Sequence, residues 1–231
     1  MKERLSVEDI REMLLCVCRA IVENEAYLTQ IDNRSGDGDH GIGMRRGFSH
    51  LEALLREKRY STINALFYQS GLTLLKTMGG ASGVLFGTLF TGGLKEMPEV
   101  ESVDIAQFAG LMDRALCAIM RRGRTKPGEK TMVDALLPAS RALLDSANRG
   151  SDFRAALEAA AAAAGKGCEA TAAMVARKGR ARQYGEKSVG CRDAGAASIS
   201  LIFSAMSRWA NARAGCRGTQ DTLKADGGEK L

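Results

Sequence analysis

Apolar residues in this chain recur at intervals of three and four over eight separate stretches, and no stretch shows convincing alternation. A period near 3.6 buries one stripe of an α-helix, whereas a half-wet strand needs a period of two. The pattern therefore predicts an all-α fold. Composition agrees. Aromatics make up 5% of the residues and only three prolines occur (Pro98, Pro127 and Pro138), while alanine, leucine and methionine abound. That balance favours helix over sheet. At 231 residues the chain can bury a substantial core.

The first helix opens at Ser6, with Asp9 placed for a capping box and Ile10, Met13, Leu14, Val17 and Ile21 on one face. Further helices are expected over residues 44–58, 62–76 and 81–95. A fifth starts from Asp104, with Gln107 at the third position. The last three cover 132–146, with a kink at Pro138, then 152–176 and 194–213. This gives one helical domain over residues 1–213 and a polar, glycine-rich tail over 214–231, expected to be mobile.

Short connections favour antiparallel neighbours, so alternate loops share an end of the bundle. Loops 29–43, 77–80, 121–130 and 177–193 fall together and hold most of the loop glycines and mixed charges. Loops 59–61, 96–103 and 147–151 fall at the other end and carry no comparable cluster.

The first of these loops reads I-D-N-R-S-G-D-G-D-H-G-I-G-M from Ile31 to Met44. Asp32, Asp37 and Asp39 lie close enough to repel one another unless a cation sits among them, the alternative being a solvated loop with Asx-turns. An oxygen-only ligand set suits Mg2+, which in proteins usually accompanies phosphate. An EF-hand is excluded, because the twelfth position counted from Asp37 is Phe48 and not glutamate. His40 follows directly and is read either as meeting a phosphate or a metal-bound water or as a hydrogen-bonded structural histidine, whereas His50 is expected at the surface.

Gly79-Gly80-Ala81-Ser82-Gly83 opens a helix with little side-chain bulk over its free N–H groups, a good anion cradle. Further down, Gly83, Gly87 and Thr91 allow close approach of a neighbouring helix, and for Gly87 packing is the expected role. The run from Gly123 through Gly128-Glu129-Lys130-Thr131 misses a P-loop by one residue and follows a helix instead of a strand. Met132, just beyond it, can offer an apolar face to a base. The cationic segment from Lys178 to Gly195 places Arg180 to meet phosphate charge and Asp193-Ala194-Gly195 to approach a nucleotide.

A net charge of +6 and a pI of about 9.1 permit anionic partners. Without aromatics among the basic residues, phosphorylated small molecules are favoured over nucleic acid. The six cysteines form no CxxC pair and only two histidines occur, which argues against zinc. With no signal-like or membrane-length apolar run, a cytoplasmic protein is expected, with no membrane contact.

Together these blocks resemble the L subunit of dihydroxyacetone kinase, also found as the nucleotide-binding domain of single-chain versions. They are Asp32 with Gly36-Asp37-Gly38-Asp39-His40-Gly41, Gly79 to Gly83, Gly128 to Met132 with Asp134, and Lys178-Gly179-Arg180-Ala181 through Asp193. The resemblance implies an eight-helix antiparallel up-and-down barrel holding ATP or tightly bound ADP and two Mg2+ ions at one end. It implies metal ligation by Asp32, Asp37 and Asp39. It implies a nucleotide lined by His40, Gly41, Ile42, Gly43, Ala81, Ser82, Gly123, Met132, Arg180, Asp193, Ala194 and Gly195.

The implied activity is phosphoryl transfer to dihydroxyacetone or a related short ketose held by a separate K-type subunit, with free ATP or a phosphocarrier protein as the phosphate source. A homodimer is left open. Two positions depart from the family pattern: Ile42-Gly43 replaces a polar pair, and Ala194 stands where proline is usual. The alternative is a nucleotide-dependent regulatory module without turnover of its own. A fatty-acid kinase domain is a third reading, against which the missing long C-terminal extension speaks.

Overall fold

The computed structural model describes residues 3–225. Its helices are α1 (Val7–Glu23), α2 (Glu25–Asp32), α3 (His40–Glu57), α4 (Ile63–Met78), α5 (Gly80–Thr91), α6 (Ile105–Gly123), α7 (Val133–Asn148), α8 (Phe153–Ala170) and α9 (Ala194–Ala225). Among the described residues the one extended pairing joins β1 (Leu5–Ser6) to β2 (Ser102–Val103), antiparallel, with Leu5 opposite Val103.

Four helix starts follow from local chemistry. Ser6 and Asp9 cap each other's backbone N–H groups, and so do Asp104 and Gln107. Thr62 accepts from the Ala65 N–H at 3.2 Å and Asp152 from the Ala155 N–H at 2.7 Å. Each cap satisfies a donor that the helix itself leaves over.

Packing turns these helices into a closed ring. α1 lies against α3, each later helix packs on the next, and α9 returns to α1, while α2 packs on α3 and α9. Phe48, Phe86, Phe108 and Phe203 are buried inside the ring with Met13 and Val17. Where small residues line the contact, the helices approach backbone to backbone. A β-carbon on Gly87 would sit 3.0 Å from the Gly71 carbonyl oxygen, so Gly87 serves packing, as expected. Pro138 lies inside α7 and cannot donate to the Asp134 carbonyl. Gly167 of α8 packs into that spot, against Asp134, Ala135 and Pro138.

The loops sort onto two ends as expected. At one end Ile63 N–H donates to Val100 O, Val7 N–H to Glu101 O and Phe153 N–H to Glu3. Arg4 reaches Ser102, Gln107 and Asp104 there. At the other end gather loops 33–39, 79–80, 124–132 and 171–193.

Several boundaries differ from the expectation. The first helix breaks at Asn24, whose side chain donates to Ala20 O at 2.8 Å, and the chain resumes as α2. Among the described residues the eight ring members are therefore built from nine α-helices. α3 begins at His40, four residues early. α5 ends at Thr91 and not at residue 95, because Gly93 lies against the Leu111 backbone of α6 and its carbonyl accepts from Arg114 at 2.8 Å. α8 stops at Ala170, six residues short. α9 continues past residue 213 to Ala225, so its backbone runs into the expected tail, and residues 226–231 lie outside the described residues. No helix among the described residues is long and apolar enough to cross a membrane.

Candidate functional site

α2 carries Asp32 to the floor of the glycine-rich end and stops there. Its last carbonyls accept from Asn33, Arg34, Ser35 and Gly36, which folds the chain back sharply. A β-carbon on Gly36 would overlap the Asp32 carboxylate, so glycine is what allows the turn to close over that side chain. Asp39 then precedes α3, and the His40 N–H donates to Asp32 at 3.2 Å.

The result is a convergence of Asp32, Asp37 and Asp39, with one carboxylate oxygen from each within 4.8 Å of the others. Burial, then the charges of Asp37 and Asp32, push the Asp39 carboxyl above its usual range. The cation facing this group is Arg180, whose guanidinium meets Asp37 at 2.9 Å while its side chain stays 71% exposed. An exposed ion pair of this kind contributes little by itself. Three carboxylates and one wet arginine leave negative charge that a divalent ion with oxygen ligands fits.

His40 faces α5 and α9. Its Nε2 lies 2.8 Å from Ser198 Oγ and its Nδ1 3.5 Å from Ser82 Oγ. Ser198 gives its own proton to the Ala194 carbonyl at 3.0 Å, so His40 donates from Nε2 and leaves Nδ1 as an acceptor for Ser82. Burial holds the imidazole below its ordinary value, and it is neutral at pH 7.

The glycine-rich start of α5 forms where the sequence places it. Gly79 and Gly80 take φ values of 74° and 56°, and no side chain caps the N-terminus of α5, which leaves its first N–H groups pointing out beside His40. Ala81 is exposed above them. Ile42 is 50% exposed at the start of α3, and Gly43 has no neighbour that a β-carbon would press. Arg46 covers the end of α4 by donating to Thr77 O at 2.7 Å and Met78 O at 2.6 Å.

α9 begins behind this cradle. Asp193 accepts from the Ala196 N–H at 2.7 Å, and burial pushes its carboxyl up to about 7. A β-carbon on Gly195 would lie 3.3 Å from Met132 Cβ, which places Met132 against the first turn of α9. Gly123 ends α6 against Leu85 of α5.

Three contributors make contacts at the site that the sequence does not reveal. Ser198 orients His40, Tyr184 donates to Gly36 O at 3.3 Å, and Lys130 is buried with its ammonium among four backbone carbonyls. Each depends on residues at least 40 positions away. His50, by contrast, is an exposed residue that meets the Arg46 carbonyl, as expected.

A closed helical ring with a carboxylate trio beside uncapped helix N-termini is an arrangement that could hold a divalent metal and phosphate. Comparison with known proteins gives the family. Residues 34–208 match the DAK2 domain, and the chain belongs to that family. It is 36% identical over 187 residues to the ADP-binding subunit DhaL of the PEP-dependent dihydroxyacetone kinase of Escherichia coli K12, covering 80% of this chain and 89% of that one.

It is 34% identical over 189 residues to the L-erythrulose kinase of Pectobacterium atrosepticum, covering 81% of this chain and 32% of that one. The crystal structure of the native dihydroxyacetone kinase of C. freundii superposes with a TM-score of 0.69 at 26% identity. The match covers 86% of this chain and 34% of that one, so most of this chain corresponds to about a third of the larger enzyme. The chain is thus a kinase component of the dihydroxyacetone kinase type.

Proposed function

We propose that this chain is the nucleotide-binding, phosphoryl-transferring subunit of a two-component kinase for dihydroxyacetone or a related short ketose. One observation carries the reading: Asp32, Asp37 and Asp39 converge next to the uncapped N-terminus of α5. Those carboxylates would hold two Mg2+ ions. Magnesium, when bound, neutralises the charge that grows on the terminal phosphates during transfer. His40, Gly41, Ile42, Gly43, Ala81, Ser82, Gly123, Met132 and Asp193-Ala194-Gly195 line the nucleotide, with Met132 against the base.

The chain's own groups act by position. The α5 amides offer donors to phosphate oxygens without any side-chain movement. His40, kept neutral, accepts the Ser82 proton and so fixes which way that hydroxyl points. Arg180, held over the mouth by Asp37, brings positive charge to the departing phosphoryl group. Nothing in the cluster serves as an acceptor nucleophile, and the attacking hydroxyl belongs to a ketose on a K-type partner.

The names of the relatives support both ends of this scheme: an ADP-binding subunit in a PEP-dependent kinase, and a kinase for erythrulose. They favour ADP that stays bound and is recharged by a phosphocarrier protein. The test is a reconstituted assay with a K-type subunit and a panel of short ketoses, supplying either free ATP or phosphocarrier proteins with phosphoenolpyruvate. Ketose phosphate formed with the carriers supports the proposal. Failure with every donor, by protein that still binds ADP and Mg2+, favours the regulatory module instead.

A further inference from the structure

Lys130 lies 1% exposed at the base of the glycine-rich end, on a backbone with φ of 60°. A non-glycine residue is sterically disfavoured in that left-handed region. Glycine would avoid the cost, so the side chain must supply something in return. Its three Nζ donors are shared among the carbonyls of Thr171 at 2.8 Å, Met174 at 3.2 Å, Ser188 at 2.8 Å and Cys191 at 2.5 Å.

These acceptors bracket a loop. Two lie before residues 175–187 and two after, so one ammonium closes the loop at its neck. Other bonds gather at the same neck. Gly190 N–H donates to Ala172 O at 2.8 Å, Ala176 N–H to Ser188 Oγ at 2.9 Å and Arg177 N–H to Glu129 O at 3.1 Å. The far side of the loop carries the two residues that reach across to the carboxylate turn, Arg180 to Asp37 and Tyr184 to Gly36. Without the ammonium, four carbonyls, three of them buried, lose a shared donor.

We propose that Lys130 is a positioning residue for nucleotide binding: its ammonium shuts the neck of the 175–187 loop and thereby sets Arg180 over the metal and phosphate end. It acts at the opposite end of the loop from the ligand and touches neither metal nor nucleotide. The proposal rests on the nucleotide reading above for its effect on affinity, but the neck itself can be tested without any ligand.

In the wild-type protein, NMR should show one lysine ammonium exchanging slowly with water, and it should shift on addition of ADP with Mg2+. An ammonium that exchanges as fast as the surface lysines overturns the proposal, and this arm needs no variant to fold. Lys130→Met should speed hydrogen exchange at amides 175–192, hasten tryptic cleavage after Arg177, Arg180 and Arg182, and weaken ADP–Mg2+ binding about tenfold or more.

Arg180→Ala should weaken binding to a similar degree, and the double variant should be no worse than the poorer single one. Additive effects, or unchanged affinity per folded molecule with only a lower Tm, overturn the positioning role. Wild-type protein that binds no ADP would overturn the nucleotide reading alone, since the ammonium and exchange measurements would still decide the neck.

Discussion

The two ends of the barrel are built from the same helices and treat their polar groups in opposite ways. At the closed end every ring helix that starts there, α1, α4, α6 and α8, is capped by its own side chain: Ser6, Thr62, Asp104 and Asp152. At the open end Asp193 caps α9, but α3 starts at Asp39 and α5 at Gly79, and neither of those residues caps its helix. Polar groups at the closed end are consumed in stabilising helices. At the open end amide donors are left over and carboxylates crowd together, a state that costs stability and that the ligand proposed above would complete. Stability and binding are divided between the ends.

The sharpest way to break this contrast is Asp37→Ala. Phosphoryl transfer with a K-type partner should fall at least a hundredfold, while the melting temperature of the ligand-free protein stays the same or rises, because one of three repelling carboxylates is gone. Equal turnover by the folded variant removes the metal assignment. Next in size is ligand linkage. ADP with Mg2+ at a hundred times its Kd should add about 2.7 kcal/mol to stability, and chelation by EDTA should abolish most of that gain in a thermal-shift assay.

A smaller effect tests the buried carboxyl at the start of α9. The folded pKa of Asp193, about 7, lies above its unfolded value of 3.8. Its contribution to stability is therefore greatest below that unfolded value and is lost as pH rises through about 7. Asn caps a helix as well as Asp. Ligand-free Asp193→Asn should thus gain on the parent as pH rises from 4 to 8, by about 2 kcal/mol, inside the ceiling of about 4 kcal/mol that the shift sets. Urea unfolding at several pH values reads this directly, and a gap that stays flat with pH contradicts it.

The smallest effect belongs to the closed end. Asp152→Ala should cost about 1 kcal/mol of stability and leave ADP affinity unchanged. Weakened binding there would mean the two ends are not independent.

Legibility divided along similar lines. Helix starts at Ser6, Asp104 and Asp152 were readable because cap and recipient stand three residues apart. The carboxylate trio was readable because all three members fall within eight residues. The break at Asn24 was not, since neither glycine nor proline marks it. The end of α8 was equally hidden: Lys130, 41 and 44 positions earlier, takes the Thr171 and Met174 carbonyls that a continuing helix would have used. Propensity over residues 171–176 favoured helix, and a distant ammonium overruled it.

The sequence alone therefore determined the helical class, the alternation of loops between two ends and the chemistry of the aspartate segment, because each depends on residues within a few turns of one another. Only the tertiary structure decided that Arg180 faces Asp37, that Ser198 orients His40 and that Lys130 draws a loop shut. Those contacts join positions 40 to 160 residues apart. No local pattern specifies them, and they form only when the ring of helices closes and brings its four glycine-rich loops to one place.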